Sequence, residues 1–509
     1  MTGFYRNHTL IFSTIFLTGT GILSRILGFF YRIFLSRTIG AEGLGIYQMI
    51  FPVFGICFSL CAGSIQTAIS RFTAADRKQG TKTLTCGLLI SLSVSLVLSA
   101  LIGNFSEFLA VHILMEPKCA PLLPALALAL PFTALHACIC GYFYGKEQVQ
   151  IPAIAQLLEQ CVRIFTVFIV VDIRQSQGYE ITAQAAVWGL LAGEALSSLF
   201  VLLMFFIYRS PKQEEDRILH SPFLPILQSL KNTAGPLMAL AAPLMANRLV
   251  MNLLQSLEAI MIPQQLEQFG LTGSQAVSIY GVLTGMALPF ILFPSAIVNS
   301  LAVVLLPTVA RQQALGNDSG IIKNLSLSVR CCLYMGILCV GVFTVFGNDL
   351  GMCVFQDPDA GTFITILAWL CPFLYLATAL GSVLNGLGKT TVNFIHHLIT
   401  SSIRLAFVFF GIPRFGILAF LWGMLISEVL VMFLHYFSVK KLTSFIPNVW
   451  EVLVKPIFCL FMALEIYRLF PDIDILFPSW PEFFQIALPI GLISICYFLL
   501  LLLLAKKDL

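Results

Sequence analysis

The chain has 509 residues, of which 58% are hydrophobic and only 11% charged, with a mean hydropathy of +0.92 and a formal net charge of +4. Soluble domains carry roughly 25% charged residues, so there is too little polar surface here to coat a water-soluble fold. The small net charge also points away from a nucleic-acid partner.

Apolar runs of about 20 to 25 residues, each long enough to cross the hydrocarbon layer, recur along the chain. The predicted spans begin near Leu10, Leu44, Leu84, Leu122, Ile151, Ala183, Thr233, Ala276, Asn324, Thr362, Thr391, Gly416, Pro447 and Phe483. This gives an all-α polytopic membrane protein of about fourteen transmembrane helices. The first run continues past Arg25 and Arg32 without a small-residue cleavage site, which is unlike a removable signal. The longest polar interruption, Arg209 to about Lys231, is too short to form a domain. Most of the 14 cysteines sit inside apolar runs, with no CxxC pair and no histidine at zinc spacing, so no metal site is expected.

An even number of spans puts both termini on one side, and 17 of the 29 Lys and Arg fall on that side. They include Arg71, Arg77, Lys78, Lys82, Lys146, Arg209, Lys212, Arg217, Lys389, Lys440, Lys441 and the tail residues Lys506 and Lys507. The positive-inside bias therefore predicts cytoplasmic termini.

The chain also repeats itself. Gly145-Lys146 follows the fourth span with Arg163 17 residues after Lys146, and Gly388-Lys389 follows the tenth with Arg404 15 residues after Lys389. The end of the second span, AISRFTAADRKQG, is similar to the end of the eighth, LLPTVARQQALGN, and Ser24-Arg25 matches Asn247-Arg248. The expected lobes are residues 1–222 and 223–442, each of six helices, with two helices appended over 443–509. Because each copy holds an even number of spans, the repeat is parallel, about a pseudo-twofold axis along the membrane normal with a cavity between the lobes. That suits an alternating-access transporter.

A charge at the centre of a lone helix costs about 2.5–3.5 kcal/mol on insertion scales. Arg25, Arg32, Arg163, Arg248, Arg330, Arg404 and Lys455 are candidates for membrane depth, as are Glu159, Glu194, Glu258, Glu428, Glu451 and Glu465. Glu159 and Arg163, four apart on one helix, can neutralise each other. Arg330, Glu451, Lys455, Glu465 and Arg468 lie near span ends, where snorkelling suffices. Arg25 and Arg248 have no such explanation, since each lies about fifteen residues into its span at matching places of the repeat. Arg32, seven residues after Arg25, shares its helix face, and Arg248, Asn252 and Gln255 share another. Guanidinium groups from both copies would make an anion site, and their forked donors suit phosphate or pyrophosphate.

Two motifs are set aside. GLGKTT at Gly386–Thr391 lacks the first glycine of a phosphate-binding loop and reads as a turn between helices. His396 and His397 are adjacent on a helix and point in different directions, so they do not form a metal site.

The stretch SRILGFFYRIFLSRTIGAEGLGIYQMIFP from Ser24 to Pro52 resembles the opening of polysaccharide-transport proteins in the multidrug/oligosaccharidyl-lipid/polysaccharide superfamily, near the stage V sporulation protein B group. EAIMIPQQLEQFG from Glu258, the segment Ser278–Arg311 and LNGLGKTTVNF from Leu384 extend the resemblance over nearly the whole chain. It implies a fourteen-helix fold of two six-helix lobes, and flipping of a lipid-linked sugar such as an undecaprenyl-pyrophosphate oligosaccharide or a peptidoglycan precursor. Lipid II flippases of that superfamily carry an arginine where this chain has Pro289, an Arg-Asp pair at Tyr31-Arg32, and sodium-binding aspartates in a second lobe whose spans seven and eleven contain no Asp here.

The expected protein is thus a non-enzymatic flippase or exporter of the plasma membrane, monomeric and without cofactor. Arg25, Arg32, Arg248, Asn252 and Glu258 would bind a lipid-linked saccharide amid membrane lipids, with coupling to H⁺ or Na⁺ left open. The rival from the same fold is a cation-coupled multidrug exporter using acids such as Glu258 or Glu428.

Overall fold

The structure, a computed structural model, describes residues 2–208, 223–469 and 481–505, with side chains from residue 19 onward and not for 223–231 or 505. Arg209, Lys212 and Arg217 of the polar interruption and the Lys506-Lys507 tail lie outside the described residues. Among those described, the chain is helical and has no strand. In lipid every backbone group must be bonded within the protein, and a helix does that within its own segment.

Thirteen stretches among the described residues are long and apolar enough to cross a membrane. The first, Gly19–Ala75, runs through two expected spans. It comprises α1 (Thr2–Met49), interrupted at Gly40 by a left-handed φ of 70°, then α2 (Phe51–Phe58), a π-helical turn over Ser59–Gly63, and α3 (Ser64–Ala75), after which α4 (Gly80–Asn104) forms the next stretch. The expected eighth span is split by Pro294 into Gly273–Leu292 and Ser295–Ala314. The thirteenth corresponds to a π-helical turn over Trp450–Val454 and the helix Lys455–Arg468, a short stretch carrying Glu451, Lys455, Glu465 and Arg468.

Two compact units emerge from the packing, one of Met1–Tyr31 and Thr38–Gln264, the other of Arg32–Arg37 and Gln265–Leu509. Most of the helix of the seventh expected span, α8 (Phe223–Gln268), therefore packs within the first unit, although the sequence repeat counts it as the first helix of the second copy.

Each unit contains the same close helix contact. In the first, α5 (Leu123–Gly145) crosses α3 so tightly that a Cβ at Gly141 would lie 2.6 Å from the Gln66 carbonyl oxygen, and one at Gly145 2.6 Å from that of Ser70. In the second, the helix Cys371–Gly386 crosses Ser295–Ala314, where the Ser382 hydroxyl donates to the Ala302 carbonyl at 2.5 Å and a Cβ at Gly386 would lie 2.8 Å from the Leu306 carbonyl oxygen. Gly141, Gly145, Gln66 and Ser70 thus correspond to Ser382, Gly386, Ala302 and Leu306, with the same four-residue steps in both units. The turns that follow also match. Lys146, Glu147 and Gln148 N–H donate to Tyr142, Tyr144 and Phe143, as Leu387, Gly388 and Lys389 donate to Val383, Asn385 and Leu384. Glu147 (φ 64°) and Gly388 (φ 72°) take the left-handed position. The structural register is therefore two residues off the Gly-Lys alignment seen in the sequence. GLGKTT is the second of these turns.

Several charges expected near span ends are paired within the second unit. Arg330 bonds Glu451, and Arg468 Nη1 lies 2.8 Å from Glu465 Oε1. Arg37 donates to the carbonyls of Val354 and Cys353 at 2.9 and 2.7 Å. Ten cysteines are buried, Cys119 and nine of those in apolar runs, whereas Cys161 and Cys331 of such runs are exposed.

Candidate functional site

The predicted residues Arg248 and Asn252 come together on one face of α8, and that face docks onto the second span. Asn252 Nδ2 donates to the Gly55 carbonyl at 2.8 Å and to Ser59 Oγ at 2.6 Å. One turn earlier, Arg248 Nη2 donates to Thr67 Oγ1 at 3.3 Å, and Thr67 in turn donates to the Gly63 carbonyl at 3.1 Å. A Cβ on Gly63 would collide with Arg248 Nη1, so glycine there makes room for the guanidinium. One turn later, Ser256 continues the row, 3.5 Å from the Pro52 carbonyl. The π-helical turn Ser59–Gly63 lies within this contact, as such bulges often do at functional places.

Arg248 is exposed and bonds no carboxylate among the described residues. Arg25, on α1 in the same unit, is likewise exposed and forms no ion pair with a described residue. Arg32 is partly buried and belongs to the Arg32–Arg37 strip of the other unit. Glu258 is partly buried further along α8, and Gln255 is exposed outside the row that Ser256 completes. Gly55, Ser59, Gly63, Thr67 and Ser256 of this contact were not among the residues expected from the sequence. Helical spacing by four from Asn252 could have found Ser256, but nothing local marks the others.

A second ionisable set lines a cavity of ≈ 270 Å³ in the first unit. It is built by α5, α6 (Gln150–Ser176) and α7 (Gln184–Tyr208), with Phe58 of α2 and Gln66 of α3 completing its wall. Gly189 and Gly193 on α7 let it approach α6 closely, since a Cβ on either would come within 2.9 Å of the Arg163 or Glu159 carbonyl oxygen. Small residues four apart commonly serve this purpose in membranes. Glu194 is thereby brought beside Glu159, which bonds Arg163 as expected. His136 Nδ1 of α5 faces Glu194 Oε2 at 3.6 Å and Ser197 Oγ at 3.4 Å. His136, Glu159 and Glu194 each bring one donor atom within 4.8 Å of the others. His136 had no sequence signal beyond being a histidine in an apolar run.

In the second unit, the rings of His396 and His397 both meet His435, at centroid distances of 5.1 and 5.4 Å. His435 Nδ1 lies 3.2 Å from the Ala377 carbonyl oxygen.

A helical chain with this many apolar spans and a polar row joining helices far apart in sequence is a multi-pass membrane protein. Its structure superposes on the solved lipid II flippase MurJ in an inward closed conformation with a TM-score of 0.73, covering 97% of this chain and 99% of that one at 14% identity. It also matches an inward-facing MATE-family multidrug resistance transporter of the MOP superfamily, with a TM-score of 0.65, 85% and 98% coverage and 14% identity. The chain belongs to the polysaccharide biosynthesis protein family, whose sequence profile matches residues 10–313. Among curated relatives, stage V sporulation protein B of Bacillus subtilis (strain 168) is 29% identical over 440 residues, or 85% of this chain and 84% of that one.

Proposed function

We propose that the protein is a flippase of the cytoplasmic membrane that moves a lipid-linked saccharide, an undecaprenyl-pyrophosphate oligosaccharide or peptidoglycan precursor, outward by alternating access. Arg25, Arg32, Arg248, Asn252 and Glu258 form its substrate-binding set, and both termini face the cytoplasm. The observation that carries this reading is Arg248, a guanidinium on a membrane-spanning helix with no carboxylate partner among the described residues. A charge so placed needs an anion or water, and the forked donors of arginine fit phosphate oxygens. The family and the relative named for sporulation support the same class of cargo. The pyrophosphate would meet cations while the polyprenyl tail stays in lipid.

Depletion in cells tests it. The lipid-linked intermediate should accumulate on the cytoplasmic side, with a wall or spore defect. Unchanged intermediate pools together with hypersensitivity to cationic drugs would instead establish the exporter reading that the MATE-like fold also allows.

A further inference from the structure

The cavity of the first unit carries a charge that the proposed anion site does not use. Glu159 and Glu194 bring two negative charges, and Arg163, bonded to Glu159, cancels one. The remainder rests on Glu194, which is 7% exposed and whose Oε2 accepts no hydrogen bond from a described group. Glu194 also lines the cavity. A lone buried carboxylate costs several kcal/mol, so the site calls for one positive charge. Oε2 faces His136 Nδ1 at 3.6 Å, within ion-pair reach but too long for a hydrogen bond.

The other titratable groups around this pair are few. Cys140 interacts with His136 and Tyr144 with Cys140, both from α5; Glu159 and Arg163 face it from α6, and Tyr31 and Tyr47 of α1 face Arg163. The second span contributes only the neutral Phe58 and Gln66. A divalent ion would bring one charge too many and sit beside the Arg163 guanidinium. Sodium prefers oxygen donors, whereas the atom facing Glu194 is an imidazole nitrogen. We propose that His136 and Glu194 form a proton-binding site that takes one proton from the cavity, converting the pair to imidazolium and carboxylate, and releases it during the transport cycle. Its role in transport rests on the flippase reading, but proton binding itself does not.

Two measurements on the full chain keep these apart. In purified protein without substrate, difference infrared spectroscopy across pH should show a His136–Glu194 titration that disappears in Glu194→Gln and in His136→Gln and persists in the double variant Arg163→Met/Glu159→Met, which leaves the net charge of the cavity unchanged. A signal unchanged in both of the first two variants overturns the site, as does its abolition by Na⁺ or Zn²⁺ at constant pH. Monodisperse elution identifies folded protein, and His136→Gln serves if Glu194→Gln does not fold. In proteoliposomes, a pH gradient should accelerate translocation of labelled lipid-linked sugar by wild type and not by His136→Gln. Equal acceleration in both overturns the coupling role. A normal titration with no translocation by wild type leaves the proton site standing and removes the flippase reading.

Discussion

The Arg248 guanidinium lies against the bare α-carbon of Gly63, a glycine in the π-helical turn of the second span where any side chain would collide with it. A seventh-span cation is thus held by a second-span surface made of Gly63 and the Thr67 hydroxyl. Local geometry and proposed function meet at this contact.

Gly63→Ala should displace the guanidinium, because the new methyl would also press on the Phe58 ring at 2.8 Å. Overpacking of this kind costs about 1–3 kcal/mol. We expect folded protein of lower thermal stability whose translocation falls as far as that of an Arg248 variant, measured by size-exclusion, melting and flipping assays together.

Thr67→Val keeps the shape and removes the acceptor for Arg248. Because Arg248 is exposed, water replaces the lost bond and stability changes little, while the guanidinium loses the hydroxyl that aims it at a bound anion; a loss of about 1.4 kcal/mol in binding corresponds to tenfold in affinity. Weaker binding of lipid-linked pyrophosphate, with an unchanged melting temperature, is the expected result.

Asn252 makes two hydrogen bonds to the second span, to Gly55 and Ser59. Asn252→Leu removes both, while Ser59 Oγ still donates to the Gly55 carbonyl at 3.0 Å, so the cost is that of the lost bonds, about 0.5–1.5 kcal/mol each. The effect should appear first in melting temperature and only then in transport, the reverse of Thr67→Val.

The repeated helix crossing predicts matched sensitivity. Gly145→Val in the first unit and Gly386→Val in the second both force a side chain against backbone, at Ser70 and Leu306. Both variants should lower the melting temperature, whereas Gly103→Val, with nothing near its α-carbon, should not. Thermal scans of the three purified variants check this.

Arg163 and Glu159 are both largely buried and bonded to each other. Breaking such a pair on one side costs about 3–5 kcal/mol, whereas replacing both partners by apolar groups can be neutral. Arg163→Met should therefore be less stable than the double variant Arg163→Met/Glu159→Met, as a double-mutant melting comparison would show.

Much of the architecture could be read before folding. Composition and run length dictate helices, because continuous apolar runs of about 20 residues span lipid as helices, whereas the strands of a closed barrel are shorter and alternate in polarity. The internal repeat was visible in the Gly-Lys pairs, though a shared dipeptide concealed a two-residue shift that only the Glu147 and Gly388 turns reveal. The polar row of α8 was legible because Arg248 and Asn252 fall four apart on one helix. Its counterpart was not, since Thr67 lies 181 residues away and Gly63 matters only for what it omits. His136 was passed over for the same reason. Its partner Glu194 comes from another helix, and the GxxxG spacing that joins them at Gly189 and Gly193 speaks of packing and not of charge.

The most direct test is translocation of fluorescent undecaprenyl-pyrophosphate saccharide by Arg248→Ala and Arg25→Ala in proteoliposomes, beside wild type and beside Arg248→Lys. The cargo is expected to remain on its starting leaflet with both alanine variants while each protein elutes and melts as folded, and lysine should restore only part of the rate because it lacks the forked donors. Wild-type translocation by the folded alanine variants would show that neither arginine grips the phosphates.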